Sequence, residues 1–466
     1  MARGVPGRAR GGAEQVRRLG AALAIGGIAG LLAATQPLSD TDMWWHLATG
    51  RETLATGFVR QDVFSWTVIG APISTDQWLG QVLMWLSYAW LGWHGVAMLR
   101  VLLAIALIAL VAFDAMRAAT RPLAVLLATV PALLLTRAVM VDRPELMGFA
   151  LFAGLLVLLR RAREGAPTAD VVAIVMLIAV WTNVHGSFAL GVVLVGIVAV
   201  ESALRDPARR VRYLALAAGA LAVTLLNPAG IGAWTAPGTH LLSPPREIQE
   251  WKVIDVRTAL GLAYVATLAI FIACAFIGPR VPRAELAILI PVVLLSLTAA
   301  RQAPLLAIAV APLIAARADL LLDRLGLARG RSTVFPAVLV AGVPLLLAFA
   351  ALLAAPGGPD ERAYPVAARA SIPLGDATLA RYEWGGWLIW QGVPVFVDGR
   401  LTPYANGVLD DYRRIISAAP GWEDVVARRG VRMLLVAPSD AVATRALELG
   451  WPVKFRSSEA LVIVVP

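Results

Sequence analysis

Long apolar runs alternate with short polar segments along most of the chain. Most runs are roughly 15–25 residues long, the length that a helix needs to cross about 30 Å of hydrocarbon. The pattern therefore predicts a polytopic α-helical membrane protein with about 11 transmembrane helices. A further segment, Asp76–Leu91, has the pattern of an amphipathic helix in the membrane interface. The predicted spans are about 19–37, 95–117, 122–137, 145–160, 169–183, 187–204, 212–227, 259–278, 284–300, 303–318 and 333–354.

The pattern changes after residue 355, where long apolar runs give way to short alternating ones. Such alternation is typical of strands with one buried face. Between these runs lie helical patterns with three- and four-residue spacing of apolar positions. Residues 356–466 are therefore predicted to form a small α/β domain. The predicted strands are Val393–Val397, Arg432–Val436 and Ala460–Val465, and the predicted helices are about 407–417, 421–429 and 440–449.

Arginine is concentrated in alternate loops between the spans. The positive-inside rule then places the basic N-terminus, residues 1–18, in the cytoplasm. Residues 19–355 form the predicted transmembrane domain, with a long outer loop at 38–94. An odd number of spans puts 356–466 outside the cytoplasm. We therefore expect a multi-pass protein of the plasma (inner) membrane with an extracytoplasmic C-terminal domain.

Composition agrees with this prediction and excludes other classes. The chain of 466 residues is 59% hydrophobic and 15% charged, with a net charge of +10 and a mean hydropathy of +0.73. The basic residues form no stripe interleaved with aromatics, so we expect no nucleic-acid partner. The sequence contains no glycine-rich phosphate loop, no His-Glu-x-x-His zinc motif and no Gly-x-Ser-x-Gly nucleophile motif.

The densest polar motif is Asp40-Thr41-Asp42-Met43-Trp44-Trp45-His46, which follows the first span. Asp42 and His46 are four residues apart and share a face if the segment is helical. Asp42, or else Asp40, is a candidate general base that accepts a proton from a hydroxyl group. Two readings stay open beside it: Asp40 caps a helix, or both carboxylates hold a divalent cation such as Mg²⁺ or Mn²⁺.

All 15 tryptophans lie on the predicted outer side, in or near the outer loops or in the C-terminal segment. An aromatic belt should mark both membrane interfaces. A one-sided distribution instead favours a functional outer surface on which indoles such as Trp44 and Trp45 stack against a flat ligand or a sugar face. Together with His46, these two tryptophans are candidate substrate-binding residues.

Further polar motifs occur at the predicted outer ends of later spans. Arg143, in Asp142-Arg143-Pro144-Glu145, either binds substrate or closes a loop with Asp142. His185 follows Asn183 at membrane depth, where polar side chains face a cavity or bond to another helix. In the long loop after Asn227, Arg246 and Lys252 are candidate ligands for an anion and Glu250 can pair with either, so all three are candidate substrate-binding residues. Arg301 either binds a lipid-linked phosphate through its guanidinium fork or extends to ordinary lipid headgroups.

The motifs together resemble bacterial membrane proteins of the GT-C glycosyltransferase superfamily, the dolichyl-phosphate-mannose-mannosyltransferase-like or Rgt-type proteins. The resemblance rests on the first-loop motif up to Gly50, and it continues in order to the C-terminal domain. The matching segments are Asp142-Arg143-Pro144, His185-Gly186-Ser187, Asn227-Pro228, Glu250-Trp251, Arg301 with Pro304, Trp384-Gly385-Gly386-Trp387-Leu388 and Val397-Asp398-Gly399-Arg400.

This resemblance implies an inverting membrane glycosyltransferase that uses a polyprenyl-phosphate-linked sugar and an envelope glycan, lipid or protein acceptor on the outer face. It makes Asp40 or Asp42 the base, and Arg246, Lys252 or Arg301 the ligands of the donor phosphate. Two alternatives use the same surface: an envelope protein that binds a lipid-linked glycan without catalysis, and a flippase or transporter. The scarcity of acidic residues within the spans disfavours the transporter.

Overall fold

The computed structural model describes residues 7–163, 167–235, 237–238, 249–327, 337–355, 357–359, 361–400, 402–405 and 407–466. The chain divides into two compact units. The first, here called the helical unit, consists of Met1–Gln36 and His94–Ala355. The second, here called the mixed unit, consists of Pro37–Trp93 and Pro356–Pro466. The predicted first outer loop thus shares a unit with the C-terminal segment.

Helices account for most of the described chain, and one of them coincides with each of the eleven predicted spans. In chain order, the helices up to residue 355 are α1 Gly7–Ala34, α2 Met43–Thr56, α3 Trp78–Ala118, α4 Pro122–Thr136, α5 Pro144–Ala162, α6 Thr168–Val184, α7 Phe188–Arg205, α8 Arg210–Ala222, α9 Ala259–Phe276, α10 Arg283–Ser296, α11 Ala303–Arg324 and α12 Ala337–Ala354.

Among the described residues, six helices are long and apolar enough to cross a membrane: Val16–Ala34, Trp78–Ala118, Pro122–Val139, Phe188–Arg205, Ala259–Phe276 and Ala300–Arg324. Thr168–Val184 and Gly342–Ala354 are shorter apolar helices. The predicted fold class of a helical membrane protein is confirmed. The extra helix predicted at Asp76–Leu91 is present from Trp78 onwards, and the non-helical backbone of Gly92 (φ 59°) separates it from the remainder of α3.

Close backbone contacts hold helices of the helical unit together. A Cβ on Gly26 of α1 would lie 2.6 Å from the carbonyl oxygen of Ile105 on α3, and one on Gly27 would lie 2.7 Å from Pro344 on α12. Helices in lipid gain little from hydrophobic burial and associate through such close packing of small residues. These two glycines therefore bring α1 against its two neighbours within this unit.

The mixed unit contains a four-stranded sheet in the order β1-β2-β4-β3. β1 and β2 are parallel, whereas β4 runs antiparallel to β2 and β3. The predicted α/β character is confirmed, and the predicted helices are present. The elements are β1 Thr378–Ala380, α13 Tyr382–Trp390, α14 Val408–Ile416, α15 Trp422–Arg429, β2 Met433–Val436, α16 Ala441–Glu448, β3 Val453–Arg456 and β4 Leu461–Val464.

The prediction of a strand at Val393–Val397 is wrong. This buried segment lies outside the sheet and makes a single bridge, in which the amide of Val395 donates to Phe64 and its carbonyl oxygen accepts from Trp66. Pro394 lacks an N–H donor, which disfavours a place inside a sheet. The segment thereby ties the loop before α3 to the C-terminal part of the same unit.

Candidate functional site

Asp40 and Asp42 occupy different positions at the start of α2. Asp40 Oδ1 accepts hydrogen bonds from the backbone amides of Asp42 (2.8 Å), which is the N-cap residue, and Met43 (3.2 Å), so this carboxylate satisfies the free amide of the first helical residue. Asp42 Oδ1 accepts instead from the indole Nε1 of Trp45, at 3.0 Å. Of the two carboxylates, Asp42 is the one whose side chain is directed away from helix capping.

His46 follows Asp42 by one helical turn, as the sequence predicts. Its Nδ1 lies 3.3 Å from Nε2 of Gln81 on α3, and its ring lies 3.6 Å from the ring of Trp45. Trp45 thus contacts both Asp42 and His46. The sequence analysis missed this role of Trp45, although its position three residues after Asp42 places both side chains on one helical face.

A tight backbone turn lies against Asp42. A Cβ on Gly399 would be only 1.9 Å from Asp42 Oδ1 and 3.0 Å from Trp45 Nε1. On the neighbouring helix α13, a Cβ on Gly386 would lie 2.6 Å from the carbonyl oxygen of Thr41. The two glycine-containing motifs of the C-terminal segment therefore pack against the first-loop motif within the mixed unit.

Trp44 is enclosed by other aromatic side chains of the mixed unit. It is 4% exposed, and its ring lies 5.1 Å from Tyr364, 5.3 Å from Trp93 and 6.1 Å from Trp390. The half-buried Trp45 is the more accessible of the two adjacent indoles. This geometry makes Trp44 part of an aromatic core, and it leaves Trp45 as the indole better placed to contact a ligand.

The helical unit contains a second group of polar residues, here called the arginine cluster: the predicted site residues Arg143, Glu250 and Arg301, together with Glu145 and Trp251. Arg301 donates from Nε (3.0 Å) and Nη2 (2.6 Å) to Glu145, and from Nη1 (3.1 Å) to Glu250. Arg143 Nη1 donates to the other oxygen of Glu250 at 3.4 Å. The Arg301 guanidinium also lies 4.4 Å from the Trp251 ring centre. One carboxylate, Glu250, therefore joins two arginines.

The two carboxylates of the arginine cluster differ in exposure. The side chain of Glu145 is 9% exposed, whereas that of Glu250 is 34% exposed. Glu145 lies in the first turn of α5, which Pro144 begins. Lys252 is exposed, and its carbonyl oxygen accepts from Ala300, one residue before Arg301. Arg246 lies outside the described residues.

The turn between α6 and α7 contains His185. Its Nδ1 accepts from the Ser187 amide (3.2 Å) and lies 2.8 Å from Ser187 Oγ, which also accepts from Trp181 Nε1 (3.0 Å). A Cβ on Gly148 of α5 would lie 2.7 Å from the same Oγ. Gly148 follows Glu145 by three residues, so one face of α5 contacts the His185 turn and carries a member of the arginine cluster.

Asp142 forms a buried ion pair with an arginine that is distant in the sequence. Its Oδ2 accepts from Arg100 Nη1 on α3 at 2.7 Å, in a pair whose side chains are almost completely buried. Arg100 also donates to the carbonyl oxygen of Gln36. Two neighbouring charges in the Asp142-Arg143-Pro144-Glu145 motif thus have separate partners, which leaves Arg143 to contact Glu250.

The predicted divalent cation has no built site among the described residues. No three His, Cys, Asp or Glu side chains in that part of the chain come together as metal ligands. Asp40 accepts two backbone N–H groups, and Asp42 accepts an indole N–H. Mg²⁺ and Mn²⁺ favour several oxygen ligands in an octahedral arrangement. Because Mg²⁺ is often held by one or two carboxylates together with waters and a substrate phosphate, Asp40 and Asp42 stay predicted ligands, and the chemistry proposed below uses no metal ion.

Comparison with known proteins places this arrangement in a known fold. No protein-family model and no curated protein matches the chain significantly. Among solved structures, it is similar to the oligosaccharyltransferase of Archaeoglobus fulgidus tethered with an acceptor peptide containing the NVT sequon, with TM-score 0.56 and 13% identity over 89% of this chain and 68% of that one.

The chain is also similar to ArnT from Cupriavidus metallidurans. The structure bound to undecaprenyl phosphate has TM-score 0.54 and 16% identity, over 96% of this chain and 97% of that one. The apo structure has TM-score 0.54 and 15% identity, over 94% and 95%. Both neighbours are glycosyltransferases of the GT-C fold. The resemblance to that superfamily is therefore confirmed as a shared fold.

Proposed function

We propose that this protein is a membrane glycosyltransferase that takes a sugar from a polyprenyl-phosphate donor and transfers it to an envelope acceptor on the outer face. The observation that carries the proposal is the convergence of Arg143 and Arg301 on Glu250. Two guanidinium groups that share one carboxylate can bind a phosphate with the same N–H donors. The likeness in fold to ArnT bound to undecaprenyl phosphate supports a lipid-linked phosphate as that anion.

Asp42 has the surroundings expected of the base in such a transfer. Its Oδ1 is held by Trp45 Nε1, and its carboxylate is only half-buried. In the proposed step, the acceptor hydroxyl gives its proton to Asp42 while its oxygen bonds to the anomeric carbon. The bond from that carbon to the phosphate oxygen breaks, and the electron pair stays on the phosphate. Attack opposite the leaving group inverts the anomeric configuration.

The arginine cluster stabilises the leaving phosphate in this proposal. Fixed donors that meet developing negative charge lower the barrier most where they are already oriented. The buried Glu145 and the ring of Trp251 hold the guanidinium of Arg301 in place. Glu250, which is a third exposed, can move into water when the phosphate takes its place. Lys252 and Arg246 remain proposed as further ligands of the donor.

The test is transfer from radiolabelled polyprenyl-phospho-sugars to an envelope lipid and glycan fraction, with the full chain in lipid nanodiscs. We expect Asp42→Asn to lower kcat roughly 10²–10⁴-fold, the usual contribution of a general base. Asp40→Asn is the matched control, because asparagine caps a helix as well as aspartate does. Full activity in Asp42→Asn would exclude Asp42 as the base.

The same assay separates catalysis from the alternative of a binding protein. A chain that binds undecaprenyl phosphate but transfers no label from any of the polyprenyl-phospho-sugar donors would favour a non-catalytic glycan-binding protein. Binding is measured by native mass spectrometry with undecaprenyl phosphate as the probe.

A further inference from the structure

The backbone at Gly399 lies against the carboxylate oxygen that Trp45 also contacts. A Cβ at this position would come within 1.9 Å of Asp42 Oδ1, a distance that real contacts do not allow. Gly399 is not among the glycines with positive φ, so an L-residue could adopt its backbone conformation. Space, and not conformation, therefore requires glycine here: the turn forms a wall against one side of Asp42.

A network of buried charges fixes the turn that contains Gly399. Arg400 donates from Nε (2.8 Å) and Nη2 (2.5 Å) to the two oxygens of Asp398, and from Nη1 (2.5 Å) to Asp62. The Arg400 amide also donates to Asp398 Oδ1, and Tyr404 Oη donates to Asp398 Oδ2. The residues on both sides of Gly399 are thus held by several directional bonds.

The network reaches back to the loop before α3. Asp62 accepts from Arg400 and from the amide of Ser65 at 2.9 Å. Ser65 forms the isolated bridge with Val395, three residues before Asp398. The turn is therefore held both by neighbouring residues of the C-terminal segment and by the loop before α3, and all of these contacts lie within the mixed unit.

Stability alone does not explain these charges. The side chains of Asp62 and Asp398 are 0% exposed, and that of Arg400 is 7% exposed. A buried ion pair repays the cost of leaving water only when its geometry is good, and well-packed apolar residues often stabilise a fold at least as much. An arginine between two carboxylates also fixes the orientation of both partners, because its guanidinium group is planar and donates in set directions. The element that gains a fixed position is the turn against Asp42.

We propose that Arg400 and Gly399 are positioning residues for Asp42: the Asp62–Arg400–Asp398 network holds the Gly399 backbone so that the carboxylate keeps the orientation needed to accept a proton. This proposal rests on the proposed function, in which Asp42 is the base. It assigns to the Asp398-Gly399-Arg400 turn a role in catalysis without contact with the reacting atoms.

The test compares Arg400→Lys and Gly399→Ala with the wild type in the transfer assay. Lysine keeps the charge but cannot form the fork, and alanine pushes on Asp42 directly. A displacement of about 1 Å at a reacting group can lower a rate by roughly 10²-fold. We expect kcat to fall about tenfold in Arg400→Lys and about 100-fold in Gly399→Ala, with the KM for the donor unchanged. Gly196→Ala is the matched control, since a Cβ there meets nothing within 4 Å.

Folding is checked by the near-ultraviolet circular dichroism of the tryptophans and by binding of undecaprenyl phosphate. If Arg400→Lys does not fold, the proposal is tested with Gly399→Ala alone. If neither variant folds, the turn serves folding and the proposal is overturned. Wild-type kcat in a folded variant, or a rise in KM that accounts for the loss, also overturns it. The proposed function fails separately, when Asp42→Asn retains full activity.

Discussion

Arg301 and Arg400 are two of the arginines that contact two carboxylates each, and they differ in the exposure of the second partner. Arg301 joins the buried Glu145 to Glu250, whose side chain is 34% exposed. Arg400 joins Asp62 to Asp398, and both of these side chains are completely buried. Arg301 belongs to the helical unit and Arg400 to the mixed unit. The same three-residue arrangement therefore has an accessible partner at Arg301 and none at Arg400.

The difference in exposure indicates different roles for Arg301 and Arg400, one in binding a ligand and the other in holding the backbone. An exposed ion pair contributes about 0–1 kcal/mol, so a ligand can replace its carboxylate at little cost. A buried pair that loses a partner leaves an uncompensated charge, which costs about 3–5 kcal/mol. Arg301 can exchange Glu250 for a phosphate, whereas Arg400 cannot exchange either aspartate. We conclude that the first arrangement is suited to a ligand and the second to fixed geometry.

The strongest test of the comparison is the removal of each arginine. Arg400→Met would leave two buried carboxylates facing each other, and we expect it to lower the free energy of unfolding by about 3–5 kcal/mol. Arg301→Met leaves one buried carboxylate, Glu145, instead of two, so we expect a smaller loss, because Glu250 can turn to water. Thermal unfolding in detergent measures the stability of both variants. The control is Arg445→Met, which removes an exposed ion pair with Glu448. Equal losses in the first two variants would contradict the distinction.

A smaller effect is expected at the exchangeable carboxylate. Glu250→Gln removes the charge that competes with a phosphate for Arg143 and Arg301. Because an exposed pair is worth up to about 1 kcal/mol, we expect undecaprenyl phosphate to bind up to about fivefold more tightly. Glu448→Gln, which removes one partner of the exposed pair with Arg445, is the control. Weaker binding in Glu250→Gln would make Glu250 a ligand and not a competitor.

The smallest expected effect is a loss of stability in alkaline solution. Burial raises the pKa of Tyr404, and the neighbouring Asp398 carboxylate raises it further. In the unfolded chain this phenol ionises near pH 10. A raised pKa in the folded state means that stability is complete below about pH 10 and falls as the pH rises above it. Melting temperatures between pH 8 and 11 should show this decline, and Tyr404→Phe should reduce it; identical pH profiles would contradict the assignment.

Local pattern was sufficient to predict the helices, the small sheet domain and the position of the first-loop motif. Helical periodicity and apolar length depend on neighbouring residues, so α4 and α7 lie close to their predicted spans. The capping role of Asp40 was one of the predicted alternatives, because it depends only on the next three residues. Of the surroundings of Asp42, only its position on the same helical face as His46, one turn later, could be inferred from the sequence.

The contacts that define the two arrangements could not be predicted, because their partners are distant in the sequence. Asp62 and Arg400 are separated by 338 positions, and Glu145 and Arg301 by 156. No local periodicity connects such pairs. The same reason explains the error at Val393–Val397: its alternation is typical of a strand, but its partner is the loop at Ser65 and not the sheet. The apolar residues of the segment indicated that it is buried, but they did not indicate which other segment it pairs with.

The bridge between Ser65 and Val395 also sets an order of events during biosynthesis. The loop before α3 leaves the ribosome long before the residues that cover it, because more than 250 residues of the helical unit lie between the two parts of the mixed unit. At about 5–20 residues per second, that interval lasts on the order of 10–50 s. During this time Trp66 and Phe64 lack their C-terminal partners. Chaperones that bind nascent chains would therefore contact this loop before its partners are synthesised. A chain truncated before Val395 would leave the loop permanently exposed to proteolysis.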